Sequence, residues 1–359
     1  MLTYIRNSWN VSNGFNSYAK PYEKGVNVKR LLLWILRLCI TIGILYYLFT
    51  KIPFSEVIAS ITSANLSYVL IGFLIWILTR YIAACRMKLL TDRQGMSLSV
   101  LQILGISFST IFYGLFLPGG YLTGGLVRWH KLSKPDNKSA EAVAAIIFDN
   151  IVDITTLCTL GILFWVFDRP SDWGYIGLSL GTVLCGLLLV YTLISTRTIS
   201  SNNVNPINLP FIPNILSDKI IKLIISLIRY QNFSLGYLGI ILTLSLACNL
   251  FGIIANYLFV LSLNMNIPFI TIAWIRAFLF ILSMLPISIS GFGVREGALV
   301  FLLRPYGISA ADAVALSLLI RSVGFGIAGI GGLIEAGRLI LPNRNRHEAK
   351  EVNRGFERG

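Results

Sequence analysis

The sequence predicts an all-α polytopic membrane protein with about six full spans and two broken, re-entrant helical hairpins, eight apolar segments in all. Three observations lead there. The chain is 55% hydrophobic and only 13% charged, with a mean hydropathy of +0.73, whereas soluble domains are about a quarter charged. Its apolar runs are about 20 residues long, the length a helix needs to cross lipid, and they lack the alternation of barrel strands. Two of these runs are interrupted halfway by proline, glycine and arginine: LFLPGGYLTGGLVR at 115–128 and MLPISISGFGVREGALVFLLR at 284–304. Irregular backbone at membrane depth survives only where protein or a water-filled cavity satisfies its polar groups. Paired half-helices around a polar break are a feature of transport sites.

Each element follows in order. Residues 1–30 are polar and basic and read as a cytoplasmic tail; the membrane domain covers 31–338, and 339–359 form a charged cytoplasmic tail. The first span is 31–50, with Arg37 inside it, and 51–65 make a turn or short amphipathic helix. The second span, 66–85, carries Arg80 and ends in a basic loop of Arg86, Lys88 and Arg93. Residues 97–117 run to the break at Pro118, and the basic stretch Arg128, Lys131, Lys134, Lys138 follows. Spans at 140–166 and 174–195 flank a short Asp168-Arg169-Pro170 turn, and an amphipathic helix at about 218–230 is expected on the membrane surface. A long span at 235–262 leads to the second broken segment, 269–303, and the last span is 309–334 with Arg321 inside.

Charge selects between two topologies. If every apolar segment crossed fully, the basic loops 128–138 and 197–229 would fall outside, against the positive-inside rule. If 97–117 and 269–303 are re-entrant, those loops and both termini lie in the cytoplasm. The two breaks then enter from opposite sides, an inverted pair like the repeats of secondary transporters.

The net charge of +14 is accounted for by cytoplasmic loops, so nucleic acid is not an expected partner, while an anionic membrane lipid is. The five cysteines, Cys39, Cys85, Cys158, Cys185 and Cys248, are scattered singly and form no CxxC, and two histidines are too few for a His-based metal site. No cofactor is expected.

Several residues are candidates for a substrate site. Arg295 and Glu296 sit beside the second glycine turn as an expected pair. Arg295 could grip a phosphate with its planar fork, aided by the N-terminus of the following half-helix. Ser288, Ser290, Gly291 and Gly293 supply the turn, Arg128 could serve the first break in the same way, and Arg276 lies in the approaching segment. Asp149 and Asp153 are four apart and share one helix face. Their candidate partners are Arg37, Arg80, Arg276 and Arg321, so that Asp149, Asp153, Arg80 and Arg321 form an expected charge network, either static glue or a carboxylate coupled to a proton. A DxxxD pair could also hold Mg²⁺ on a diphosphate.

PISISGFGVREGALVFL resembles the signature of the lysylphosphatidylglycerol synthase transmembrane-region family, a flippase-like membrane domain. The family pattern Pro-x-Ser-x-x-Gly-x-Gly-x-Arg-Glu is matched by Pro286, Ser288, Gly291, Gly293, Arg295 and Glu296. Its earlier Pro-Gly…Gly-Gly…Arg motif is similar to Pro118, Gly119, Gly124, Gly125 and Arg128. Leu126 stands where the family often has an acidic residue, and Ser290 where it usually has glycine. The resemblance covers about 31–338 and implies movement of a lipid between leaflets. In the best-known members that lipid is an aminoacylated phospholipid and a soluble aminoacyl-transfer domain follows; only about 25 polar residues follow the last span here, so a standalone member is expected.

The expected function is therefore non-enzymatic translocation of a lipid with a phosphate-bearing headgroup, phospholipid or polyprenyl-linked, across the cytoplasmic membrane. Two alternatives stand beside it: a non-catalytic membrane partner of an envelope lipid or glycan synthase, and a polyprenyl-phosphate-dependent transferase. A homo-oligomer or an envelope-biosynthesis partner protein fits either of the non-enzymatic readings.

Overall fold

The computed structural model describes residues 52–117, 120–168, 234–284 and 292–340, together with isolated positions within 42–50 and 177–230. The expected spans at 31–50 and 174–195 and the surface helix at 218–230 fall largely outside the described residues, as do Pro118, Gly119, Pro286, Ser288, Ser290 and Gly291.

All regular structure among the described residues is helical. A short helix α1, Phe54–Thr62, precedes α2, Leu66–Arg93; α3, Val100–Phe116, and α4, Tyr121–Ser133, follow; α5 is Ser139–Asp168 and α6 is Leu235–Ser262. Then come α7, Phe269–Met284, α8, Val294–Leu303, a 3₁₀ turn at Arg304–Tyr306, and α9, Ala310–Ile340. Of these, α2, α5, α6 and α9 are long and apolar enough to cross a membrane, and α3 and α7 are shorter apolar helices. The protein is a polytopic helical membrane protein, and rows of exposed apolar side chains such as Leu70, Leu74, Leu78, Leu163, Phe167, Leu242 and Leu246 give its long helices lipid-suited faces.

Local sequence sets the helix ends. Asn65 caps α2 by accepting the Ser67 N–H, Ser99 and Gln102 form a capping box on α3, and Ser234 caps α6. Gly120 (φ 54°, ψ −123°) and Gly293 (φ 82°) open α4 and α8 in backbone conformations that a Cβ disfavours, which is why the breaks carry glycine there.

Three boundaries differ from the sequence reading. Helix α2 continues to Arg93, so Arg86 is inside a helix instead of in a loop. The stretch after the first break is the helix α4, not a basic loop. Helix α9 continues to Ile340 and carries Glu335 with it. In each case tertiary partners for the charged side chains extend the helix beyond its apolar run.

The interrupted segments are helical hairpins whose two arms meet at one end. For the first, α3–α4, Asp136 beyond α4 accepts both the backbone N–H and the hydroxyl of Ser97, just before α3, each at 2.7 Å. For the second, α7–α8, Asp168 Oδ2 accepts from Thr271 (2.9 Å) and Trp274 (2.7 Å) at the start of α7 and from the Tyr306 hydroxyl (2.8 Å) just after α8. Because Asp136 precedes α5 and Asp168 ends it, the two mouths lie at opposite ends of that helix.

Each hairpin has its own core. Met87, Leu90, Ile103, Leu132, Ala144 and Ala145 pack around the first. Leu157, Phe259, Trp274, Leu299, Leu303 and Leu316 pack around the second. A Cβ at Gly331 of α9 would strike the backbone of Phe108 in α3, so the two helices cross at the closest approach their backbones allow.

Candidate functional site

Between the two hairpins, the long helices carry a series of polar side chains. It starts on α5. Asp149, 4% exposed, accepts from Arg86 Nε at 2.7 Å on one oxygen and from Arg128 Nη2 at 2.8 Å on the other. Arg86, 3% exposed, also donates to Asp153 at 2.9 Å and to Ser245 at 2.8 Å. Two arginines and two aspartates thus neutralise each other in a buried cluster joining α2, α4, α5 and α6. Such a cluster is stable only when every partner is present.

The line continues through Asn249 on α6. Its side-chain amide donates to Thr156 at 3.0 Å and lies 3.4 Å from Asp153 Oδ1, while its backbone carbonyl accepts from Arg276 Nη1 at 2.9 Å. Gly252 makes room for that guanidinium: a Cβ there would fall on it, 2.6 Å from Cζ.

Arg276 and Arg295 then line one narrow recess between α6, α7, α8 and α9, with Asn256 and apolar residues such as Ile275, Leu279 and Leu316 around them. Its free volume is ≈ 10 Å³, room for about one water molecule. The Arg295 Nε is fully buried with no hydrogen-bond partner, and the side chain forms no ion pair among the described residues. The Asn256 side-chain oxygen is also buried without a partner.

The expected Arg295–Glu296 pair does not form. Glu296, 3% exposed, turns to α9, where Arg321 Nη2 donates to it at 2.9 Å and Ser317 at 3.2 Å. Its other oxygen accepts the Gly293 N–H at 2.7 Å and so closes the N-terminus of α8. Arg321 also lies over the Phe292 ring, 3.7 Å from its centroid. Neighbours in sequence therefore have opposite fates: Glu296 is tied down and Arg295 is left over.

The structure brings Asp149 and Asp153 together as expected but gives them other partners. Arg86 and Arg128 take the place foreseen for Arg80, Arg276 and Arg321; Arg37 lies outside the described residues. Arg80 stacks on Trp76 at 4.8 Å, its Nε buried without an acceptor, and it is within electrostatic reach of Arg276. Sequence reasoning missed Arg86, Asn249, Asp168 and Glu335. Glu335 joins α9 to the first hairpin, pairing with Lys131 and accepting from Ser109 at 2.6 Å and Tyr113 at 3.2 Å. A signal for Arg86 was available: it lies seven residues, two helical turns, after the apolar Thr79 face that buries against α6.

Among the described residues, no three His, Cys, Asp or Glu side chains assemble as a metal site. Both Asp149 oxygens and one Asp153 oxygen are taken up by Arg86 and Arg128, so the DxxxD pair serves as the counter-charge of these two arginines.

Outside the spans, two groups titrate away from their usual ranges. The Ser97 hydrogen bonds hold the Asp136 carboxyl below the ordinary aspartate range. Burial, with the Asp168 carboxylate beside it, pushes the Tyr306 hydroxyl up to about 12.

Fold and site together define a class: polytopic helical membrane proteins with two oppositely facing helical hairpins and ionised groups held between them. The family described as the lysylphosphatidylglycerol synthase TM region matches residues 34–332, and the chain belongs to it. That family sets the protein among those of lipid-related membrane processes. No curated protein matches the chain.

Proposed function

We propose that this protein is a non-enzymatic translocator that carries the phosphate-bearing headgroup of a lipid through the polar line between its two hairpins while the acyl or prenyl tails stay in the bilayer. The carrying observation is Arg295, half-buried, its Nε sealed from solvent without a hydrogen-bond partner and its guanidinium without a counter-ion among the described residues, beside Arg276 in one recess. An uncompensated buried cation is costly, and it is retained where an anion completes it. In this reading Arg295 and Arg276 hold the phosphate, and Gly293 opens the half-helix that carries Arg295. Arg128 is the counterpart at the other hairpin, reached once Asp149 releases it. Glu296 and Arg321 fix the start of α8, and Asp149 and Asp153 balance charge or carry a coupling proton.

Six full spans and two re-entrant hairpins complete the reading, with the four long helices joined by the spans expected at 31–50 and 174–195. The end that collects Lys88, Arg93, Lys134 and Lys138 faces the cytoplasm of a cell membrane, as does each terminus. A recess of ≈ 10 Å³ is too small for a headgroup, so transport requires the second hairpin to move away from α6 and α9.

The test is a leaflet assay. Liposomes holding the purified protein and NBD-labelled anionic or zwitterionic lipids are quenched from outside with dithionite. Quenching beyond the outer-leaflet fraction with wild-type protein, and its loss in Arg295→Ala, is the expected result. Equal quenching with both proteins would remove Arg295 from the site, and full protection of every lipid would set the translocator reading aside.

A further inference from the structure

The balance of charge between the hairpins goes beyond a generic phosphate. Among the described residues, six guanidiniums sit along the polar line (Arg80, Arg86, Arg128, Arg276, Arg295 and Arg321) against three carboxylates (Asp149, Asp153 and Glu296), an excess of three positive charges. The pairing locates that excess. Arg86 and Arg128 are neutralised by Asp149 and Asp153, and Arg321 by Glu296. What remains among the described residues is Arg80, Arg276 and Arg295, of which Arg276 and Arg295 share the recess.

A zwitterionic phosphodiester headgroup suits this poorly, because its ammonium enters a region already cationic. A simple anionic phosphodiester supplies one negative charge. A terminal phosphomonoester or a diphosphate supplies about two near neutral pH. It also offers oxygens enough to meet two planar guanidinium forks at once. Arg276 gives one N–H to the Asn249 backbone carbonyl and the Arg295 Nε has no acceptor among the described residues, so both forks have donors to give.

Resting on the translocator reading above, we infer that the Arg276–Arg295 recess selects a dianionic phosphate headgroup, a phosphomonoester or diphosphate, over phosphodiester headgroups. Glycerolipids and polyprenyl lipids both provide this chemistry, and the recess recognises the phosphate they share.

The experiment is the same leaflet assay run as a headgroup series with wild-type protein: NBD-labelled phosphatidylcholine, phosphatidylglycerol, phosphatidic acid and a labelled polyprenyl phosphate. Each additional phosphate charge that meets a guanidinium is expected to favour transport on the order of tenfold. Phosphatidic acid or the polyprenyl phosphate should therefore move fastest and phosphatidylcholine slowest. Which of the two leads names the tail class. Equal rates across the series, or phosphatidylcholine fastest, overturn the inference while leaving translocation standing.

If no lipid moves, the translocator reading falls and the anion site is judged by itself. Thermal unfolding of the detergent-solubilised protein is then measured with inorganic pyrophosphate against sodium chloride at equal ionic strength. A stabilisation by pyrophosphate that Arg295→Gln removes retains the dianion site. No difference between the salts removes it.

Discussion

The two hairpins share a plan and differ in one respect. Each is an apolar helix, a glycine turn and a second helix, and each is tied at its mouth by one aspartate at an end of α5. The first hairpin's arginine, Arg128, is already answered by Asp149, whereas the second hairpin's arginine, Arg295, has no counter-ion among the described residues. The difference teaches that position in the motif does not decide function; the carboxylate supplied by a neighbouring helix does. A neutral cluster fastens helices together, and the cation left over is the one our proposal assigns to the phosphate.

The comparison is most sharply tested where the fastener is most loaded. Replacing Arg86 with Met strands Asp149 and Asp153 in the interior and is expected to cost about 3–5 kcal/mol, read as a collapse of the thermal midpoint in detergent. Should Arg86→Met melt like wild type, the first cluster is not structural and the contrast between the hairpins fails.

Gly252→Ala comes next. Its methyl group would occupy the place of the Arg276 guanidinium, so about 1–3 kcal/mol of stability and most lipid movement should be lost together. Retained movement would show that Arg276 can work from another position.

Arg295→Gln is expected to separate the two properties. Removing an unpaired buried cation should leave the thermal midpoint equal to wild type or higher, while lipid movement falls by about tenfold or more. A large loss of stability would instead make Arg295 part of the scaffold, like Arg128.

The hairpin mouths give the smallest effects. Tyr306→Phe deletes one of the three hydrogen bonds to Asp168 and should cost about 0.5–1.5 kcal/mol. At the other mouth, Asp136 has a lowered pKa in the folded protein, so its contribution is present above the unfolded carboxyl pKa and is lost as pH falls through the folded one. The protection of the Ser97 amide relative to its intrinsic exchange rate should therefore fall on acidification, and Asp136→Asn should abolish that pH dependence.

Much of this architecture was legible in the chain. The run at 235–262 became α6 with the same bounds, and 97–117 and 269–285 became α3 and α7 within a few residues. Gly293 and Glu296 could be read as a helix start because the glycine must take a positive φ and the carboxylate reaches back three residues to its N–H. These are local matters, settled by periodicity, helix caps and the absence of a Cβ.

Which charge meets which was not legible. Arg86, at the end of an apolar run, has the sequence appearance of a topology-setting arginine, yet it is the hub of the first cluster. Glu335 falls just past the last expected span, 309–334, and holds the first hairpin to α9 through Lys131, Ser109 and Tyr113. By itself the sequence determined that the chain is helical, membrane-embedded, twice broken and rich in arginine. Only the tertiary structure decided that Arg128 is neutralised and Arg295 is not. Pairing depends on how each helix is rotated against its neighbours, and that rotation is set by side-chain packing between segments far apart in the chain.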